Sequence, residues 1–297
     1  MEILPGIHRI ESDLGGRFMC QYLLRGEDRT VLIDTGLAET PEMVILPYLE
    51  GIGLTIEDVD EVITSHADVD HCGGNRALKE MNPQLRFSCG EPDRRLIENN
   101  RAMLAEIYCW SEPYGFGPDE ETKTWIMEGL GGDSSIDSGL RGGETLRLGP
   151  GRRIEILHLP GHTAGHLGVW DPRTGAAIII DAVLESGIYD RAGNRLIPPR
   201  YFDAGWIEDT IRGLRALRPR HLLTAHYPAM QGQEVEDFLG RSLDYTTQLR
   251  RTVNEGLGDG ITDLWELTRR INELVGPYPE SSVHELGAPV RAYMAAL

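Results

Sequence analysis

The stretch Glu61-Val62-Ile63-Thr64-Ser65-His66-Ala67-Asp68-Val69-Asp70-His71-Cys72-Gly73-Gly74 decides how this chain is read. Its first four residues include the apolar, β-branched run of a short buried strand. Where that strand gives way to a Gly-Gly turn, two histidines and two aspartates fall within six residues. In an extended segment alternate side chains share a side, so positions 66, 68 and 70 face together. The adjacent His71 reaches a second point close by, so one loop can serve two metal ions. Unpaired, such crowded carboxylates and imidazoles repel one another and resist burial. A cation resolves the conflict.

Three more pieces join this one. Leu159-Pro160-Gly161-His162-Thr163-Ala164-Gly165-His166 puts a histidine in a Pro/Gly turn after a strand. Asp181 ends the run Ile178-Ile179-Ile180, where a carboxylate is costly without a partner. His226 follows Leu222-Leu223-Thr224-Ala225. Each candidate lies at a strand terminus, so one edge of a β-sandwich would gather them all.

Working outward, strands are expected at 7–11, 18–24, 30–34, 61–65, 84–89, 153–157, 167–170, 177–180 and 221–224. Thr40 and Pro41 open a helical pattern to Ile52, and further helices are expected at 75–81, 206–217, 234–255, 262–275 and 282–296. Strand-rich and helical stretches alternate, which predicts an α/β (α+β) fold with four αββα layers. The main domain is expected over 1–230, with a helical C-terminal extension over 231–297. Within the domain, 92–145 reads as a helical insertion carrying Tyr108, Trp110, Tyr114, Phe116 and Trp125. Its aromatics either pack on the main body or form a lid or wall lining the active site, with a dimer contact as a further role.

The 297 residues are 40% hydrophobic and 26% charged, the make-up of a globular protein. A formal net charge of -18 argues against non-specific binding to nucleic acid or anionic membrane, while bound metal would still admit an anionic substrate. The four cysteines (Cys20, Cys72, Cys89 and Cys109) form no Cys-x-x-Cys pair and no disulfide framework. No basic leader or long apolar run is present, so a cytoplasmic, non-membrane protein is expected.

The combined pattern resembles the metallo-β-lactamase superfamily, which carries His-x-His-x-Asp-His, then Gly-His-Thr-x-Gly-His, an Asp ending a strand and a late His. The resemblance runs from Ile7 to about His226 and includes Asp34-Thr35-Gly36. It implies that His66, Asp68 and His162 hold a first divalent ion and that Asp70, His71 and His226 hold a second, with Asp181 bridging them. Asp68 departs from the family's usual second histidine. Its harder oxygen ligand makes Fe or Mn more acceptable beside the default Zn.

Two such ions make water nucleophilic at neutral pH, and Asp70 would orient the attack. No Gly-x-Ser-x-Gly elbow, phosphate loop or dinucleotide fingerprint competes with this reading. The expectation is a metal-dependent hydrolase of a small-molecule ester, lactone or thioester, possible as a homodimer. The alternative from another class is an iron-dependent redox enzyme, diiron or persulfide dioxygenase-like. Asp34 and Thr163 are candidate supports for the ligands, His166 reads as structural and Cys72 as a packing residue.

Overall fold

The structure is a computed structural model and describes residues 1–296. Seven strands form the first sheet in chain order: Glu2–Leu4, Ile7–Leu14, Arg17–Arg25, Thr30–Ile33, Glu61–Thr64, Arg86–Gly90 and Ser138–Leu140. The first four pair antiparallel through short turns, and each later strand pairs parallel to the one before it. That switch follows from the connections, because parallel neighbours need a crossover, supplied first by the helical stretch 41–51.

Across the second sheet the order is Met230–Gln231, His221–Thr224, Ala176–Ile180, Leu167–Asp171, Arg152–His158 and Thr145–Gly149. Its one parallel pair, Ala176–Ile180 with His221–Thr224, is joined through the helix Ala204–Leu217. The small hairpin Ile188–Tyr189 and Arg195–Ile197 lies in the same crossover.

Side-chain alternation explains the layering. From strand Arg17–Arg25, Cys20, Tyr22 and Leu24 enter the core between the sheets, while Met19 and Leu23 enter the core under the helices. Ala176, Ile178 and Ile180 likewise face the first sheet, and Ala177 and Ile179 face the C-terminal helices. Strands buried on both faces read as near-continuous apolar runs, as Ala176–Ile180 does throughout and Arg17–Arg25 does between its terminal arginines apart from Gln21. The expected αββα sandwich is the fold.

Segment 92–145 does more than add helices. Its helices include Arg94–Ile97, Asn100–Met103 and Glu120–Gly129, but Ser138–Leu140 completes the first sheet. Met103, Ile126, Leu130 and Ile136 are buried in the core beneath that sheet. Helices Gln233–Gly258, Leu264–Val275 and Val283–Ala295 pack with Ala204–Leu217 as the outer layer of the second sheet. Phe238, Leu249 and Leu286 share one core with Ala177, Ile179 and Leu222. Among the described residues no helix is long and apolar enough to cross a membrane.

Candidate metal centre

The fold brings all seven sequence candidates together at one end of the sandwich. His66 follows strand Glu61–Thr64. Asp68 caps the short helix Val69–Cys72, accepting from the Val69 N–H, and that turn carries Asp70 and His71. His162 lies in the loop between Arg152–His158 and Leu167–Asp171, and His226 follows His221–Thr224. Asp181 follows Ile180, whose φ of 49° is a rare conformation for a β-branched residue. The register against His221–Thr224 also shifts between Ile178 and Ile180, so the strand ends in a distortion beside the ligand it delivers.

Two glycines allow the close approaches involved. A Cβ on Gly73 would meet the Gly129 carbonyl oxygen at 2.1 Å, so the ligand turn and helix Glu120–Gly129 touch backbone to backbone. Gly161, at φ 136°, leaves room for the backbone of Ile207 next to the His162 loop.

The histidines are wired alike. His66 Nδ1 meets Ser65 Oγ at 2.9 Å and His71 Nδ1 meets Asp34 Oδ2 at 2.8 Å. His162 Nδ1 donates to the Arg200 carbonyl at 3.2 Å and His226 Nδ1 to the Phe18 carbonyl at 3.0 Å. In all four the remaining Nε2 is buried without a hydrogen-bond partner, and so is Asp181 Oδ1. Buried polar atoms are normally satisfied, so this cluster of orphans calls for a missing partner. With Nδ1 engaged, each Nε2 lone pair is left free for a cation.

Donor spacing agrees. His226 Nε2 lies 3.2 Å from Asp181 Oδ2 and 3.5 Å from Asp70 Oδ2, and His71 Nε2 lies 3.5 Å from Asp181 Oδ2 and 3.6 Å from Asp70 Oδ1. Asp68 Oδ2 stands 3.7 Å from His162 Nε2 and 3.9 Å from His66 Nε2. Tetrahedral ligands on one zinc ion stand roughly 3.3 Å apart, close to this range. Three donor sets each fall within 4.8 Å: His66, Asp68 and His162; Asp70, His71 and His226; and His66, His71 and Asp181. These sets suit a divalent metal. The electrostatics point the same way: burial opposes charge on His71, yet Asp70, Asp181 and Asp34 outweigh it and hold its pKa well above the ordinary range. The carboxylates are asking for positive charge.

Asp68 is the crowded member. Its Oδ2 also receives Arg200 Nη1 at 2.7 Å, and its Oδ1 accepts from Tyr108 Oη. Burial works against its ionisation, but the Arg200 guanidinium keeps its pKa well below the usual carboxylate range. Sequence reading missed both partners, since neither Tyr108 nor Arg200 is near position 68 in the chain.

Supporting groups surround the donors. Asp34, itself at φ 63°, accepts from Ser65 N and Oγ as well as facing His71. Asp93, not singled out in the sequence, accepts from Ala67 N, Gly165 N and Thr163 Oγ1 and so ties two ligand loops together. His166 stacks on His66 with ring centroids 4.5 Å apart and joins none of the donor sets. Cys72 Sγ donates to the Asp68 carbonyl, and burial pushes its thiol well above the ordinary value.

A cleft opens over the donors. Tyr108 and Trp125 line it, whereas Phe116 stacks on Trp265 at 4.6 Å and Trp110 lies beneath Arg291. Aromatics of this segment thus both pack on the main body and line the cleft. His284, without obvious neighbours in sequence, also lines the cleft, whereas the Tyr189 hydroxyl pairs with Ser186.

A family model described as the metallo-beta-lactamase superfamily matches residues 21–226. A hydroxyacylglutathione hydrolase of Haemophilus influenzae is 26% identical over 169 residues, covering 57% of this chain and 68% of that protein. An N-acyl homoserine lactonase of a Bacillus species is 26% identical over 167 residues, covering 49% of this chain and 54% of that protein. The chain spans about half the length of most curated relatives it matches, from 22% to 68%. Among solved structures, a metallo-beta-lactamase family protein of Thermus thermophilus superposes with a TM-score of 0.77 at 21% identity, covering 100% of this chain and 94% of that one.

Proposed function

The chain belongs to the metallo-β-lactamase superfamily, and on that footing we propose that it is a two-metal hydrolase of small esters, lactones or thioesters. One observation carries the reading. Four buried imidazole nitrogens with no partner converge with the carboxylates of Asp68, Asp70 and Asp181. His66, Asp68 and His162 would hold one ion, Asp70, His71 and His226 the other, with Asp181 between them. Zinc is the proposed metal, because imidazole-rich sets with carboxylates suit it. Divalent ions bound there supply a Lewis acid and water activated to hydroxide strength at neutral pH.

The chain's own residues supply the rest. Asp70 faces both His71 and His226, so its carboxylate is placed to orient an attacking water. Leu184, Ile188, Ile197, Pro198 and Trp125 give the cleft an apolar wall for an acyl or alkyl group. Hydroxyacylglutathione hydrolases and an acyl homoserine lactonase among the relatives act on thioester and lactone bonds, which fits this substrate range.

The test is metal quantification on protein purified without added metal, coupled to a hydrolysis panel of ester, lactone, thioester, phosphodiester and β-lactam probes. Close to two zinc ions per chain and turnover confined to acyl probes is the expected result. Iron as the main metal with oxygen consumption, or no turnover of any acyl probe, would overturn the reading.

A further inference from the structure

Two arginines line the cleft over the donor cluster, Arg17 and Arg200, and their circumstances are opposite. Arg200 is spoken for: it pairs with Asp68 at 2.7 Å and with Glu285 at 3.7 Å and lies over the Tyr108 ring. Arg17 makes no ion pair and no side-chain hydrogen bond among the described residues, and its Nε is buried without a partner. The chain holds 47 acidic and 29 basic residues, so an arginine near the metal ligands with no carboxylate partner runs against the chain's own bias. Nearby cations show the contrast. Arg9 pairs with Glu11, and Arg191 pairs with Glu11 and Asp13.

The position of Arg17 is built rather than accidental. It opens strand Arg17–Arg25 after the Gly15-Gly16 turn, whose φ values of 53° and 84° suit a tight two-residue hairpin. The Arg191 N–H donates to the Gly16 carbonyl and pins that turn. Phe18, the next residue, accepts the Nδ1 hydrogen bond of His226. Arg17 is thus one residue from the backbone that orients a proposed metal ligand.

We propose that Arg17 is the anion-binding arm of the active site, and that the substrate carries a carboxylate in addition to its hydrolysable acyl bond. The carboxylate takes the guanidinium fork of Arg17, while the apolar part of the same molecule lies on Leu184, Ile188 and Ile197. Three ligand carboxylates would leave two divalent ions with a single positive charge, which an activated hydroxide cancels, so Arg17 rather than the metal pair supplies the charge for the substrate's carboxylate. This deepens the hydrolase reading, and only its account of turnover rests on that reading.

Two matched pairs test it in the zinc-loaded protein. Turnover is compared for mono-para-nitrophenyl glutarate and para-nitrophenyl butanoate. Binding is compared by calorimetry for the unreactive amides N-phenylglutaramic acid and N-phenylbutanamide. The carboxylated member of each pair should be preferred. Arg17→Gln should lower the charged-to-neutral ratio of kcat/KM, and that of affinity, at least 10-fold, with Arg17→Lys intermediate because it keeps the charge but not the fork. Carboxylate-selective binding that depends on Arg17, with neither ester turned over, would count against the hydrolase reading and leave the anion site standing. Ratios that Arg17→Gln does not change would overturn the anion site, whatever the turnover.

Discussion

Asp68 answers to more partners than any other donor in the cluster. It caps its own helix, receives Tyr108 and Arg200, and faces His66 and His162. Arg200 and Asp68 are both largely buried, so removing one strands the other's charge in a poorly solvated place. In chelator-treated protein, Arg200→Leu should therefore cost about 3 kcal/mol of unfolding free energy. A denaturant midpoint unmoved by the change would mean that the pair is solvated in practice. Asp34 does different work, fixing the ring of His71 and the backbone of Ser65. Asp34→Asn should weaken metal binding roughly 10- to 100-fold, as loss of such orienting carboxylates does elsewhere. Competition with a chromophoric chelator measures this, and an unchanged affinity would assign Asp34 to turn formation alone. All seven candidate donors were legible at this scale because ligand chemistry confines them to His and Asp just past strand ends, although the extended alternation expected over 66–70 gives way to the helical turn Val69–Cys72. Asp93 was not, because its partners Ala67, Thr163 and Gly165 are ordinary residues far away in the chain.

Elements were legible where burial sets a period or an unbroken apolar run. The expected strands at 18–24, 61–65, 177–180 and 221–224 match Arg17–Arg25, Glu61–Thr64, Ala176–Ile180 and His221–Thr224. The edge strands Glu2–Leu4, Ser138–Leu140 and Met230–Gln231 are too short to show one. Within the helical insertion expected over 92–145, Asn99 breaks the helical run by capping Asn100–Met103, its side chain accepting from the Ala102 N–H. Segment 92–145 belongs to the first sheet's core as well as to the cleft wall, so its function is best tested by point substitution. Trp125 is 42% exposed and lines the cleft. Trp125→Ala should raise KM several-fold for long-chain acyl esters more than for acetate esters, with metal content the same. Equal effects across chain length would remove this ring from substrate selection.

For the whole molecule, protons and metal compete for the same nitrogens. Burial lowers the basicity of His71 and His226, but neighbouring carboxylates led by Asp70 for His71 and by Asp181 for His226 raise both pKa values above the ordinary one. A pKa raised in the folded state gives stability that is complete below the unfolded value, about 6.5, and lost as pH climbs through the raised value. His66 and His166, pushed down chiefly by burial, stay neutral in that window and add little slope. Metal needs the nitrogens deprotonated, so its grip strengthens over the same span. The melting-temperature gap between zinc-loaded and chelator-treated protein should widen as pH rises above about 6.5. A constant or shrinking gap would show that His71 and His226 are not shared in this way.

Asp93 has a consequence for how the catalyst comes into being. His66, Asp68, Asp70 and His71 precede the Gly142-Gly143 turn, while His162, Asp181 and His226 follow it. The Asp93 carboxylate clasps Ala67 from the earlier half to Thr163 and Gly165 from the later one. Neither half inherits a usable share of the machinery. During synthesis on the ribosome the first half must wait, its charged loop unquenched, until the second has emerged and closed against it.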